Sequence, residues 1–155
     1  MNAEKQYIDF YNEVKDTTAA RSSQEMNTYR EAALHTFATQ GFPSPKVERY
    51  RYAKVETDFS PNYGIALTPI KGPLPPHCFR IADAVPHART LYNKVADTAD
   101  SIVALNTMLC VDTLVVHVPK GTRVEHPIQI SNTLKGEQDT MVCRRILIIM
   151  EELAQ

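Results

Sequence analysis

The chain has 155 residues with 43% hydrophobic and 23% charged side chains, an ordinary balance for one domain of ordinary size. A formal net charge of −1 argues against broad electrostatic attraction to nucleic acid or to an anionic membrane. No apolar run approaches the roughly 20 residues that span a bilayer, and Met1–Lys5 has neither the basic nor the apolar stretch of a signal peptide. This pattern implies a cytoplasmic location, as do Cys78, Cys110 and Cys143, an odd and widely spaced set that makes a poor disulfide framework.

In chain order, residues 2–16 predict a helix capped by Asn2, with Tyr7, Phe10 or Tyr11, and Val14 on one face. Residues 22–40 predict a second. Ser22-Ser23-Gln24-Glu25 has the form of a capping box, with Glu25 placed to reach the Ser22 amide. Met26, Tyr29, Ala33 and Phe37 form its apolar stripe. Gly41 suits the left-handed residue that ends a helix, and Pro43 cannot continue one.

Six of the ten prolines fall between Pro61 and Pro86. Residues 57–76 therefore read as an extended crossing segment with at most short strands. Helical character returns over residues 88–109 around Leu91, Val95, Ile102 and Leu105.

From Val111 the texture becomes β. Thr113–Val118 alternates and is β-branched, Pro119-Lys120-Gly121 is a turn, and 123–125 and 127–130 read as short strands. Residues 146–150 read as a strand buried on both faces. Short strands with corners too brief for helical crossovers predict the first turns of a parallel β-solenoid, and Val118, Val124 and Ile130 fall six apart. A small antiparallel sheet is the alternative. A solenoid this short has no cap, so its last strand is expected to lead into further chain or to pair with a partner, a second copy included. The expected fold class is thus α+β: a helical region over 1–56, a Pro-rich crossing segment with short helices over 57–110, and the start of a β-helix over 111–155.

No chemistry-bearing motif stands out. The three cysteines and His35, His77, His87, His117 and His126 form no short chelating spacing. His77 and Cys78 are adjacent, which points their side chains apart in a strand, and His117 reads as a rim residue. There is no nucleophile elbow, no phosphate-cradling Gly-rich loop and no positioned Cys–His pair. Lys46, Arg49, Arg51 and Lys54 interleave with Tyr50 and Tyr52, a pattern that can stack bases. The plainer reading is a solvated turn anchored by its tyrosines. No catalytic, cofactor-binding or metal-binding residue is expected in this chain.

Three blocks carry a resemblance. They are Gly41-Phe42-Pro43 with Glu48-Arg49-Tyr50-Arg51-Tyr52; Ala104-Leu105-Asn106-Thr107 with Asp112, Val116–Gly121 and Glu125–Ile128; and Arg145–Ile148 with Glu151-Glu152. In order and content they resemble the SufB/SufD family of iron–sulfur cluster assembly proteins, on its SufD-like branch. Tyr50 stands where the family usually has Trp, Ala53 where it has Thr, Thr113 replaces a common Gly, and His126 separates Glu125 from Pro127. The resemblance implies a helical N-terminal region followed by a right-handed parallel β-helix. It implies a non-catalytic scaffold subunit that acts with a SufB-like paralogue and a SufC-like ATPase. The family's positions for ATPase contact and cluster chemistry lie beyond Gln155, so no functional residue carries over and no cofactor is expected in this stretch. The other readings are a β-solenoid acyltransferase-like enzyme, whose six-residue spacing breaks after Ile130, and a helical module for protein or nucleic acid.

Overall fold

The computed structural model describes residues 3–61, 63–135 and 138–155. Asn2, expected as a cap, lies outside them. The first helix, α1 (Ala3–Arg21), runs past the expected end at residue 16. It buries Tyr7, Tyr11 and Thr18, which recur on one face. Ser22 and Ser23 then break the chain. The Ser23 hydroxyl caps α2 (Gln24–Thr28) by accepting from the Met26 amide at 3.4 Å. Ser22 instead donates to the Thr18 carbonyl at 2.8 Å. Glu25 does not close the expected box, because its carboxylate lies 3.7 Å from Arg89. The expected single helix is two, since Tyr29 interrupts it before α3 (Arg30–Gln40). Gly41 ends α3 at φ 65°, where a Cβ would stand 2.8 Å from the Glu4 carboxylate.

A 3₁₀ turn at Glu48–Tyr50 and α4 (Val55–Phe59) follow. The Pro-rich stretch contributes two short strands, β1 (Gly64–Ile65) and β2 (Cys78–Arg80). The helix expected over 88–109 is interrupted. It comprises α5 (Pro86–Thr90) and α6 (Ser101–Leu109), with turns between them that bury Tyr92 and expose residues 97–99. The remaining strands are β3 (Thr113–Val118), β4 (Thr140–Met141) and β5 (Arg145–Met150).

The strands form two small sheets. One pairs β1 with β4 in parallel, and the other has the order β2-β3-β5. In the second, β3 runs antiparallel to β2 and parallel to β5, with Thr113 opposite Arg145 and Val118 opposite Met150. The domain is therefore a small α+β unit, and the expected parallel β-helix is not what the described residues form. Two observations account for this. Residues 123–125 and 127–130, expected as strands, make no ladder; the Val124 amide donates instead to the Gln155 carbonyl at 2.7 Å. The free side of β3 is taken by the antiparallel strand β2 rather than by a stacked repeat.

The expectation that 146–150 is buried on both faces also fails. Ile149 is buried and Leu147 packs on the core, whereas Ile146, Ile148 and Met150 are 43%, 65% and 52% exposed. The period of two along β5 thus divides a covered face from an open one.

Three apolar clusters hold the unit together. The largest joins α1, α3 and α6 through Tyr7, Tyr11, Phe37, Leu105, Met108 and Leu109. Phe42 enters it with its ring 5.3 Å from that of Phe37 and 5.8 Å from that of Tyr7, both edge to face. A second cluster lies between the helices and the sheet, with Met26, Ile81, Tyr92, Cys110, Val115 and Ile149. A third covers the far face of β2 and β3, where Cys78, Leu114 and Val116 meet Ile70, Leu74 and Ile128.

Candidate functional site

Polar side chains converge where the segment after α3 meets the start of α6. Asp100 is the N-cap of α6, and its Oδ1 accepts from the amides of Ile102 at 2.9 Å and Val103 at 3.2 Å. The Tyr50 hydroxyl donates toward the same carboxylate, 2.7 Å from Oδ2 and 2.9 Å from Oδ1. Arg49 Nη1 lies 2.9 Å from Asp100 Oδ2 and 3.3 Å from Asp97 Oδ2. Burial raises the pKa of the Asp100 carboxyl. The donors from Tyr50, Val103, Ile102 and Arg49 outweigh that and hold it below the usual value. Burial, with the adjacent carboxylate, pushes the Tyr50 phenol up to about 12. Neither group is poised to exchange a proton near neutrality, so the constellation positions backbone rather than performing acid–base chemistry.

Beside it opens a cleft of about 520 Å³, walled by Phe42, Pro43 and Val47 and edged by Asp97 and Ser101. Tyr50 is committed to Asp100, and Tyr52 is 93% exposed with the Arg51 guanidinium 5.8 Å from its ring centre. The aromatic–basic segment is thus half anchor and half free tip.

Two arginines, Arg30 buried and Arg145 half-buried, fasten the end of α6 to its neighbours. Arg30, 2% exposed, donates to the carbonyls of Thr107, Met108 and Cys110 at the end of α6, to Ser22 Oγ and to Asn27 Oδ1. It faces the negative end of the helix dipole in place of a carboxylate, and burial lowers its pKa. Arg145 donates to Tyr92 Oη, Asn93 Oδ1 and Thr107 Oγ1, and its guanidinium lies 5.3 Å from the centre of the Tyr92 ring. Sequence reading missed Arg30, Asp100 and Arg145. Asp100 was legible, since Asp-Ser precedes an apolar helical run, but a helix drawn across residues 88–109 hides the cap. Nothing in the sequence sets Arg30 apart from an exposed helical cation.

The sequence candidates for metal binding are dispersed. Cys78 and Cys110 are buried, Cys143 is half-buried, and all three are free thiols. Burial raises the pKa of each, that of Cys143 to about 12, so they are poor thiolates. His117 is not a rim residue. Its side chain is 11% exposed, and Nε2 lies 2.7 Å from Glu151 Oε1. Glu151 Oε2 also accepts from the Lys120 amide at 2.9 Å, which ties the end of β3 to the turn after β5. His77 sits at φ 65° just before β2. Among the described residues no group of three or more His, Cys, Asp or Glu side chains could hold a metal ion. Among the same residues no helix is long and apolar enough to cross a membrane.

The elements that carry Gly41–Tyr50, Asp100 and α6 are those that a family model matches. The model of the SufBD protein N-terminal region covers residues 1–88 and 79–130. The chain belongs to this family. Membership places it among proteins of iron–sulfur cluster assembly. No curated protein and no solved structure matches the chain.

Within the family region the matched residues supply the whole of the first apolar cluster apart from the edge contacts of Met141 and Cys143. The Gly-Phe-Pro block works as packing. Gly41 turns the chain, Phe42 fills the core, and the 3₁₀ turn brings Arg49 and Tyr50 to the cap of α6.

Proposed function

We propose that the chain supplies the N-terminal region of a SufD-like, non-catalytic subunit of a SufBCD-type scaffold for iron–sulfur cluster assembly in the cytoplasm. The observation that carries this reading is the family match over residues 1–88 and 79–130. The geometry agrees with a positional role. The polar cluster at Asp100 is used to cap a helix, two of the three thiols are buried and the third is half-buried, and Arg30 and Arg145 are spent on backbone carbonyls and neighbouring side chains. Thiolate ligands for a cluster must be deprotonated and accessible, so on this reading the cluster, as the product of the complex, forms on groups supplied elsewhere. The partners are a SufB-like paralogue and a SufC-like ATPase, and no residue of this chain is assigned a ligand or catalytic role.

The test is co-expression of the tagged gene product that contains this chain with the SufB-like and SufC-like proteins of the same organism. Co-purification of all three in fixed proportion is the expected result. Recovery of the tagged protein alone in every preparation overturns the reading.

A further inference from the structure

A second cavity, of about 210 Å³, lies on the far face of the three-stranded sheet. Cys78 on β2, Leu114 on β3 and Ile146 on β5 line it, with Ile70, Leu74 and Ile130 from the flanking segments. One side of it is held by bonds within the chain. Asp112 Oδ2 accepts from the Ile70 amide at 3.0 Å, and Arg80 donates to the carbonyls of Ile70 at 2.9 Å and Gly72 at 2.8 Å. The Cys78 amide donates to the Pro75 carbonyl at 3.1 Å. A pre-formed, mainly apolar cavity with a few polar groups is the usual form of a small-molecule site.

Every charged residue that lines the cavity is a cation: Lys71, Arg144 and Arg145. None of the three makes an ion pair among the described residues. The Arg145 guanidinium is spent on Tyr92, Asn93 and Thr107. Arg144 is half-buried and donates to the Thr68 carbonyl at 2.6 Å and to the Thr68 hydroxyl at 2.9 Å. Both partners are neutral, and part of the five-donor fork is left over. Asp112 is turned to the amides of Ile70 and Thr113 and does not line the cavity. Positive charge therefore stands at an apolar cavity without a carboxylate to meet it, although the chain as a whole carries −1. Arginine goes under cover at a cost unless an anion is paired with it.

We propose that this cavity binds a small aliphatic carboxylate, with its chain against Cys78, Leu114 and Ile146 and its charge between Lys71 and Arg144. At roughly 30 Å³ for each water-sized group, the volume takes a chain of about seven carbons. An inorganic anion would satisfy the cations and leave the apolar lining bare, and a neutral chain would do the reverse. The site has no part in cluster ligation, and its assignment is independent of the role proposed above.

Isothermal titration of the 155-residue chain with octanoate tests it. The expected dissociation constant is on the order of 0.1–1 mM, as befits so small a ligand, and it rises with salt. Octanamide, which keeps the chain without the charge, and inorganic phosphate, which keeps charge without the chain, each bind at least about tenfold more weakly. Lys71 is exposed, so Lys71→Glu leaves the packing alone and abolishes binding by setting a carboxylate at the rim. Ile146→Glu does the same from β5. Ile148→Glu, on the same face of β5 but outside the cavity, leaves octanoate binding within about twofold. Far-ultraviolet circular dichroism confirms that each variant is folded, and Lys71→Glu decides alone if Ile146→Glu is not. The proposal is overturned by a wild type that does not bind octanoate, by octanamide or phosphate binding as tightly, or by unchanged binding to Lys71→Glu. Equal losses from Ile146→Glu and Ile148→Glu would mean adsorption on the open strand face and also overturn it.

Discussion

A buried cation without a carboxylate is a demanding choice for a core. Arg30 satisfies it through geometry: its planar fork reaches three carbonyls at the end of α6 and two side-chain oxygens at once. A lysine ammonium carries the same charge on a single point and cannot make that set of bonds. Arg30→Lys therefore strands buried carbonyls, and the expected destabilisation is about 2–3 kcal/mol in a urea titration. Equal stability of the two proteins would show that water replaces the fork.

Asp100 is the second residue whose chemistry decides local structure. Its folded-state pKa is depressed, so the stability it contributes is present above the ordinary carboxylate value of about 4 and is lost as pH falls through the depressed value. Asp100→Asn keeps a capping oxygen but cannot titrate. The stability gap between wild type and Asp100→Asn is expected to be largest near neutrality and to close as pH falls below about 4. Denaturant titrations at stepped pH check this, and a gap that widens on acidification contradicts the sign. The cap was readable in the sequence, while the convergence of Tyr50 and Arg49 on it was not. That contact spans 50 residues of chain, beyond the reach of a local pattern.

At the level of elements, the strands separate what a pattern can say from what it cannot. Thr113–Val118 alternates, is β-branched, and forms β3. Residues 123–130 alternate as well yet pair with nothing as strands, because alternation allows a strand but only a neighbouring edge makes one. The three-residue β2, which occupies that edge, is hidden among prolines and has no periodicity to detect. β5 was legible as a strand but not in its burial. An unbroken apolar run implies two covered faces, and only the face with Leu147 and Ile149 packs on the core. The two faces predict opposite responses. Val115→Ala on the covered face of the neighbouring strand opens a void beside Tyr92 and Ile149 and is expected to cost about 2 kcal/mol. Ile148→Thr on the open face keeps the β-branch and is expected to stay within about 0.5 kcal/mol. Paired urea midpoints measure both, and a large loss from Ile148→Thr would mean that something covers that face in solution.

For the whole molecule, the question is which residues a folding unit needs. The family model ends at residue 130, yet the core does not. Residues 141–150 send Met141 to the helical cluster, Cys143 to both helical and sheet clusters, and Leu147 and Ile149 to the layer beneath Tyr92 and Val115. Arg145 binds Tyr92, Asn93 and Thr107, and the Arg144 carbonyl accepts from Asn106 at 3.1 Å. β5 also pairs with β3 along its full length. Without these residues α6 and β3 each keep one covered side and expose the other, and the ladder that orders Thr113–Val118 retains only three residues of β2. A chain of residues 1–135 keeps every matched position but is expected to lose cooperative unfolding, bind a hydrophobic dye and retain helical circular dichroism, the marks of a collapsed state without fixed packing. The 1–155 chain is expected to melt in one transition. Thermal melts followed in the far and near ultraviolet decide between them. If 1–135 melts cooperatively within about 5 °C of the longer chain, the helical cluster is sufficient by itself and β5 is an appendage rather than part of the core.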